Sequence, residues 1–182
     1  AVRAEETIGD VVRQLGDRAR FRLEFVGEER QPGALTSMHG EGEVEGDLLE
    51  LCTSRLFPKR LFPLLACMNR DMQAIPDNFD ACAAEAKVPA AAVRACANGS
   101  QGRRLLSDSF RRSAEAGARG SPTMFFGGVQ YQGNRSAQSF LRAACVRLSA
   151  PLPAACASLP PVPRVPVVVL TDSRCRDCDH AR

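Results

Sequence analysis

Cysteine constrains the fold of this 182-residue chain more than any other residue type, because the chain contains eight of them. A chain of this length buries enough apolar surface to fold without covalent staples, so these cysteines exceed what stability requires. Cys52, Cys67, Cys82 and Cys96 follow one another at intervals of about 15 residues. An even number at regular spacing predicts a disulfide framework formed in an oxidising compartment, either the periplasm or the cell exterior.

Turn symmetry predicts how the structural cysteines pair. If consecutive helices form antiparallel hairpins, residues equally distant from the turn face each other. Two such pairs are symmetric about Lys59-Arg60 and about Pro89, and a third would tie the last helix to the segment that follows it. The predicted bridges are Cys52–Cys67, Cys82–Cys96 and Cys145–Cys156. Six cysteines allow 15 connectivities, so other pairings stay open.

A Cys-x-x-Cys motif follows the apolar run Val165-Pro-Val-Val-Val-Leu170 and consists of Cys175 and Cys178. A strand that leads directly into such a motif is typical of thioredoxin-like redox proteins. Cys175 is the expected nucleophile and Cys178 the resolving thiol. Two alternatives are an inert disulfide and half of a zinc site with His180. A zinc site needs a fourth ligand that no second motif supplies, so we expect no metal and no cofactor.

The hydrophobic period changes along the chain and predicts an α/β fold. Apolar residues at helical spacing open the chain, and apolar and polar residues then alternate as in a strand. Pro- and Gly-punctuated, Ala-rich segments from about 47 to 117 predict a helical subdomain of four or five short helices. A hairpin with a Gly-Gly turn and a last helix follow. The three predicted strands, expected to share one sheet, are Phe21–Val26, Thr123–Phe126 and Val129–Gln132.

Residues 150–164 are rich in proline and predict a semi-rigid linker without helix or sheet. We therefore expect one domain at 1–149 and a second unit that begins at 165–182. The position of the motif close to Arg182 predicts a segment of a longer, tandem protein. A circular permutation, in which residues 165–182 complete the first domain, is the alternative.

Composition excludes several classes of function. The net charge is +3, with 24 basic and 21 acidic residues, and one Tyr and no Trp leave few platforms for base stacking. We therefore expect no nucleic-acid partner. No apolar run approaches the roughly 20 residues of a membrane span, so we expect no membrane span in this chain. Any export signal is expected to lie upstream or to have been removed.

The segment from His39 to Cys52 resembles the signature of the gamma-interferon-inducible lysosomal thiol reductase family. His39, Gly40, Glu43, Glu50 and Cys52 match in register. The chain departs from the signature where Val44 stands for Cys and Asp47 for Asn, and where Ser37-Met38 replaces the preceding Cys-Gln. The resemblance covers roughly residues 1 to 147 and extends to bacterial DsbA-like proteins.

This resemblance implies a thioredoxin-like fold with an inserted helical subdomain. The fold would lack its usual N-terminal strand and its Cys-x-x-Cys motif. In the family, that motif lies just before the helix that begins here at Ala1. It implies a bacterial, exported thiol-disulfide oxidoreductase whose partners are cysteine-containing protein substrates or a redox partner protein. Ser121 and Pro122 precede the hairpin where thioredoxin-like proteins keep a cis-proline, and with His39 they are the expected substrate-binding residues. A non-catalytic, disulfide-stapled binding domain is the competing hypothesis.

Overall fold

The structure, a computed structural model, describes residues 2–162. This part of the chain is mixed α/β, with long helices and very short strands. Its helices are α1 (Val2–Leu15), α2 (Glu41–Leu56), α3 (Leu61–Met68), α4 (Phe79–Glu85), α5 (Ala90–Asn98), α6 (Ser100–Glu115), α7 (Ala137–Cys145) and α8 (Ala154–Ala157). Its strands are β1 (Glu28–Glu29), β2 (Leu35–Thr36), β3 (Phe125–Phe126) and β4 (Val129–Gln130). None of these helices is both long and apolar enough to cross a membrane.

Helices α2 to α6 occupy the region in which the sequence predicts a helical subdomain. Their core is a cluster of buried side chains around Leu64, Met68, Phe79 and Val93, all of which are fully buried. Helix α2 packs mainly against α5 and α6, whereas α3 packs against α4. The subdomain therefore combines contacts between consecutive helices with contacts of α2 to helices distant in sequence.

A second core joins α1 to the C-terminal elements. Val11 and Leu15 of α1 pack with Phe140 and Leu141 of α7. The β3–β4 hairpin is fastened to this core by an aromatic cluster. The ring of Phe126 lies 5.2 Å from that of Tyr131 and 5.9 Å from that of Phe140. Helix α1 also contacts α3, so it connects the second core to the helical subdomain.

The Gly-Gly turn of the second hairpin is confirmed. Gly127 and Gly128 have φ values of 56° and 80°, which L side chains rarely adopt, and the turn pairs Phe126 with Val129. Two consecutive residues with positive φ are typical of the tight turns that connect antiparallel strands, because their backbone twist matches that of the strands.

The single sheet predicted from the alternating segments is wrong. The strands form two separate antiparallel pairs, β1–β2 and β3–β4, and residues 21–26 belong to no helix or strand. Alternation makes a segment suitable for a strand, but a strand also requires a neighbour that the sequence pattern does not specify.

The proline-rich segment also departs from its prediction, because α8 interrupts it. Four residues without proline, from Ala154 to Ala157, follow Pro153 and form one helical turn that packs against α7. Proline is tolerated at the start of a helix because the first backbone N–H groups of a helix have no partner within it. The described part of the predicted linker is therefore packed against the domain.

Candidate functional site

Three disulfides link all the cysteines between residues 2 and 162, and this number of bridges fits a secreted or extracellular protein. The Cα–Cα distances are 5.9 Å for Cys52–Cys96, 5.4 Å for Cys67–Cys82 and 5.6 Å for Cys145–Cys156. The third pair agrees with the sequence prediction.

The predicted pairs Cys52–Cys67 and Cys82–Cys96 are wrong. Cysteines equally distant from a turn face each other only if the two helices that flank the turn form a hairpin. In the structure Cys52 on α2 instead faces Cys96 on α5, because α2 packs against α5. Helix α3 packs against α4 and joins Cys67 to Cys82. The shorter loop therefore lies entirely inside the longer one.

The predicted catalytic cysteines, Cys175 and Cys178, lie outside the described residues, as does His180. The part of the chain that the structure describes contains no free cysteine. Thiol chemistry by this chain therefore depends on the Cys-x-x-Cys motif or on reduction of one of the three bridges.

Ser121 and Pro122 lie in the segment between α6 and β3. Their peptide bond is cis, as predicted, and Ile75–Pro76 and Ala150–Pro151 are also cis. Ser121 is exposed and Pro122 is half-buried. The Thr123 hydroxyl donates to the Gly120 carbonyl at 2.6 Å. This turn holds the entry to the hairpin while the Ser121 backbone remains next to solvent.

His39 lies immediately before α2 and contacts Glu43. Its backbone N–H donates to Glu43 Oε2 at 3.0 Å, and its Nδ1 is 3.0 Å from Glu43 Oε1. Partial burial acts to raise the pKa of Glu43, but hydrogen bonds from Ser37 and His39 outweigh it and the pKa lies below its ordinary value. A glutamate in the first turn that binds backward in this way satisfies a free N–H group at the helix start. His39 therefore helps to define the start of α2.

The acidic residues of α2 form a candidate site that the sequence pattern did not indicate. Glu43, Asp47 and Glu50 lie at helical positions i, i+4 and i+7, so they share one face of the helix. We call these three residues the acidic face. Asp47 is only 7% exposed. The spacing is visible in the sequence, but it does not reveal which face of the helix is buried.

Burial raises the pKa of two members of the acidic face. Desolvation, followed by the negative charge of Glu43, raises the pKa of Asp47 from 3.8 to about 8. Desolvation also raises the pKa of Glu50 well above its ordinary value, with smaller contributions from Glu5 on α1 and from Asp47. Among residues 2–162, no basic side chain forms an ion pair with Asp47 or Glu50. Asp47 is therefore mainly protonated at neutral pH.

Glu5 of α1 lies near the acidic face, since its negative charge contributes to the raised pKa of Glu50. Its Oε2 accepts a hydrogen bond from Asn69 Nδ2 at 2.7 Å, and it lines a groove of about 260 Å³ between α1 and α3. The described part of the chain contains no group of three or more His, Cys, Asp or Glu side chains arranged to hold a metal ion.

The candidate residues fall into separate places. His39 lies just before α2 and the acidic face lies on α2, whereas Ser121 and Pro122 lead into the β3–β4 hairpin. Within residues 2–162 no hydrogen bond joins the two groups. No protein-family model matches the sequence, and no curated protein matches it.

Proposed function

We propose that the chain is part of an exported thiol-disulfide oxidoreductase with a thioredoxin-like fold and an inserted helical subdomain. The observation that carries the proposal is the Cys-x-x-Cys motif of Cys175 and Cys178, which begins five positions after the end of a β-branched apolar run. Two cysteines at this spacing are typical of redox-active dithiols.

The order of elements supports the fold assignment. Helix α1, the β1–β2 pair, a helical subdomain, the β3–β4 hairpin and α7 follow one another along the chain, which is compatible with a thioredoxin-like fold with inserted helices. Ser121 and Pro122 stand at the start of the hairpin, with Ser121 exposed. That is a suitable place for an extended substrate to add its backbone to the strand edge.

The proposed reaction exchanges one disulfide for another. The Cys175 thiolate attacks one sulfur of a substrate disulfide, so that a mixed disulfide forms and one substrate thiolate leaves. The Cys178 thiolate then attacks Cys175 Sγ and releases the second substrate thiolate. The enzyme motif loses two electrons and the substrate gains them. The reverse sequence oxidises a substrate dithiol.

Turnover of a disulfide-bonded peptide by the reduced full chain tests this proposal. We expect Cys175→Ser to abolish the reaction and Cys178→Ser to accumulate a mixed disulfide, because the resolving thiol is missing. Replacing both Cys145 and Cys156 by Ser is the matched control, since it removes two cysteines outside the motif and should leave the rate within about twofold. Unchanged turnover in Cys175→Ser would contradict the proposal.

One observation favours a second candidate, a disulfide-stapled binding domain. All six cysteines of residues 2–162 form disulfides, so this part of the chain has no free thiol. The same experiment separates the candidates. A binding domain would leave the disulfide-bonded peptide intact in the wild-type chain, even with Cys175 and Cys178 fully reduced.

A further inference from the structure

The Cys67–Cys82 disulfide has charged groups in contact with one of its two sulfurs. Nη2 of the Arg70 guanidinium lies 3.0 Å from Cys67 Sγ, and Oε2 of the Glu85 carboxylate lies 3.6 Å from the same sulfur. Among the six cysteines of residues 2–162, only Cys67 has a polar contact of this kind. The two ends of this bond are therefore chemically unequal.

Arg70 and Glu85 form an ion pair that joins the chain just after α3 to α4. Arg70 Nη1 donates to Glu85 Oε1 at 2.9 Å, and both side chains are exposed. Cys67 and Cys82 themselves are buried, with 5% and 4% of their surface exposed. The bond therefore lies at the boundary between the core of the helical subdomain and an ion pair that reaches solvent.

The positive charge of Arg70 favours a negative charge on Cys67. A guanidinium stays protonated throughout the pH range of protein chemistry. A thiol beside a cation has a lowered pKa, and a thiol of lower pKa is the better leaving group in thiol–disulfide exchange. Glu85 opposes this effect, but its oxygen lies farther from the sulfur and Coulomb energy falls with distance. The contacts therefore favour Cys67 over Cys82 as the sulfur that leaves as a thiolate.

We propose that Cys67–Cys82 is a redox-active pair that accepts electrons from dithiols. Rotation of the exposed Arg70–Glu85 pair, which takes nanoseconds for such side chains, admits the dithiol. One of its thiolates attacks Cys82 Sγ, the bond between Cys67 and Cys82 breaks, and the electron pair of that bond goes to Cys67 Sγ beside Arg70.

The second thiolate of the dithiol completes the exchange. It attacks the dithiol sulfur that is bonded to Cys82, so that the dithiol closes into a disulfide and Cys82 leaves as a thiolate that takes up a proton. The dithiol loses two electrons and the protein gains them. This reaction does not depend on the chemistry proposed for Cys175 and Cys178.

Reduction of the folded full chain by dithiothreitol tests the proposal. Cys175 and Cys178 are both replaced by Ser, so that dithiothreitol is the only dithiol present. Samples are alkylated at intervals, and peptide mapping then gives a reduction rate for each bridge. We expect Cys67–Cys82 to be reduced at least about tenfold faster than Cys52–Cys96, which is buried and has no charged contact.

Two variants separate the effect of charge from the loss of the ion pair. Arg70→Met removes the cation and should slow the reduction of Cys67–Cys82 about threefold or more. Glu85→Gln removes the opposing charge and should speed it. Both variants break the same ion pair, so a purely structural role would move the two rates in the same direction.

Arg94→Met is the matched control. Arg94 pairs with Asp80 of α4 at 3.0 Å, as Arg70 pairs with Glu85, but it contacts no cysteine. Its replacement should leave the rate for Cys67–Cys82 within about twofold of the unsubstituted rate.

The direction of attack is read with glutathione, a monothiol, in place of dithiothreitol. The mixed disulfide should form on Cys82, and a mixed disulfide on Cys67 would overturn the proposal. It is also overturned if Cys67–Cys82 is reduced no faster than Cys52–Cys96, or if Arg70→Met leaves the rate unchanged. Rates that move in the same direction in Arg70→Met and Glu85→Gln would overturn it as well.

Discussion

Asp47→Asn should stabilise the protein at neutral pH, because Asp47 is a buried acid with which no basic side chain of residues 2–162 forms an ion pair. Its pKa is about 8 in the folded state and 3.8 in a solvated reference state. The unfolded chain therefore loses this proton far more easily than the folded chain. Below pH 3.8 both states hold the proton and there is no penalty. As the pH rises from 3.8 toward 8, ionisation of Asp47 lowers the free energy of the unfolded state only. The free energy of unfolding therefore falls.

The size of this effect follows from the two pKa values. At pH 7 the linkage relation gives a destabilisation of about 4 kcal/mol as an upper bound, compared with a side chain that does not ionise. At pH 5 the same relation gives about 2 kcal/mol, so the wild-type protein should lose roughly 2 kcal/mol of stability between pH 5 and pH 7 from this residue. Asn is close to Asp in size and carries no titrating proton. It is also the residue that the thiol reductase signature has at this position.

Urea denaturation at pH 5 and pH 7, with the disulfides intact and helix content followed by circular dichroism, measures both effects. We expect Asp47→Asn to raise the free energy of unfolding at pH 7 and to flatten its change between the two pH values. Glu41→Gln is the control, because it neutralises an exposed carboxylate on the same helix. A wild-type protein equally stable at both pH values, or a variant less stable than wild type at pH 7, would refute the reasoning.

Three further predictions follow from the packing. Non-reducing peptide mapping should recover a Cys67–Cys82 peptide pair, and replacing both residues by Ala should lower the free energy of unfolding by about 3 kcal/mol, as expected for a 15-residue loop. Phe140→Ala should lower it by about 3 to 5 kcal/mol in urea denaturation, because this fully buried ring supports the hairpin. Glu24→Gln weakens the bidentate contact with Arg112 and should lower it by about 1 kcal/mol, with no change in the disulfide map.

Local features of the fold could be predicted from the sequence. The helices follow from apolar spacing, and the turn at Gly127 and Gly128 follows from the backbone freedom of two glycines. Each depends on residues within a few positions of one another. The segment 21–26 shows the limit of this reasoning, because its alternation predicts a strand but the structure has none there. A strand needs a neighbouring strand, which depends on distant parts of the chain.

The candidate site could be predicted only in part, for the same reason. The disulfide pairs depend on which helices touch, and the contact of α2 with α5 is formed across three intervening turns. The acidic face depends on which side of α2 is buried. An amphipathic pattern would have identified that side, but Glu43, Asp47 and Glu50 place acidic side chains where apolar residues are expected, so the pattern pointed away from them.

The nested arrangement of two disulfides changes how the protein would respond to mechanical force. A tension applied through the chain would pass across the Cys52–Cys96 bond, so the 44-residue interval, including the Cys67–Cys82 loop inside it, would carry no load. About 100 Å of extended chain would stay hidden until that bond is reduced, and about 50 Å more until the Cys67–Cys82 bond is reduced. In a single-molecule stretching measurement, a reductant that cleaves the outer bond first would therefore give two separate extension steps.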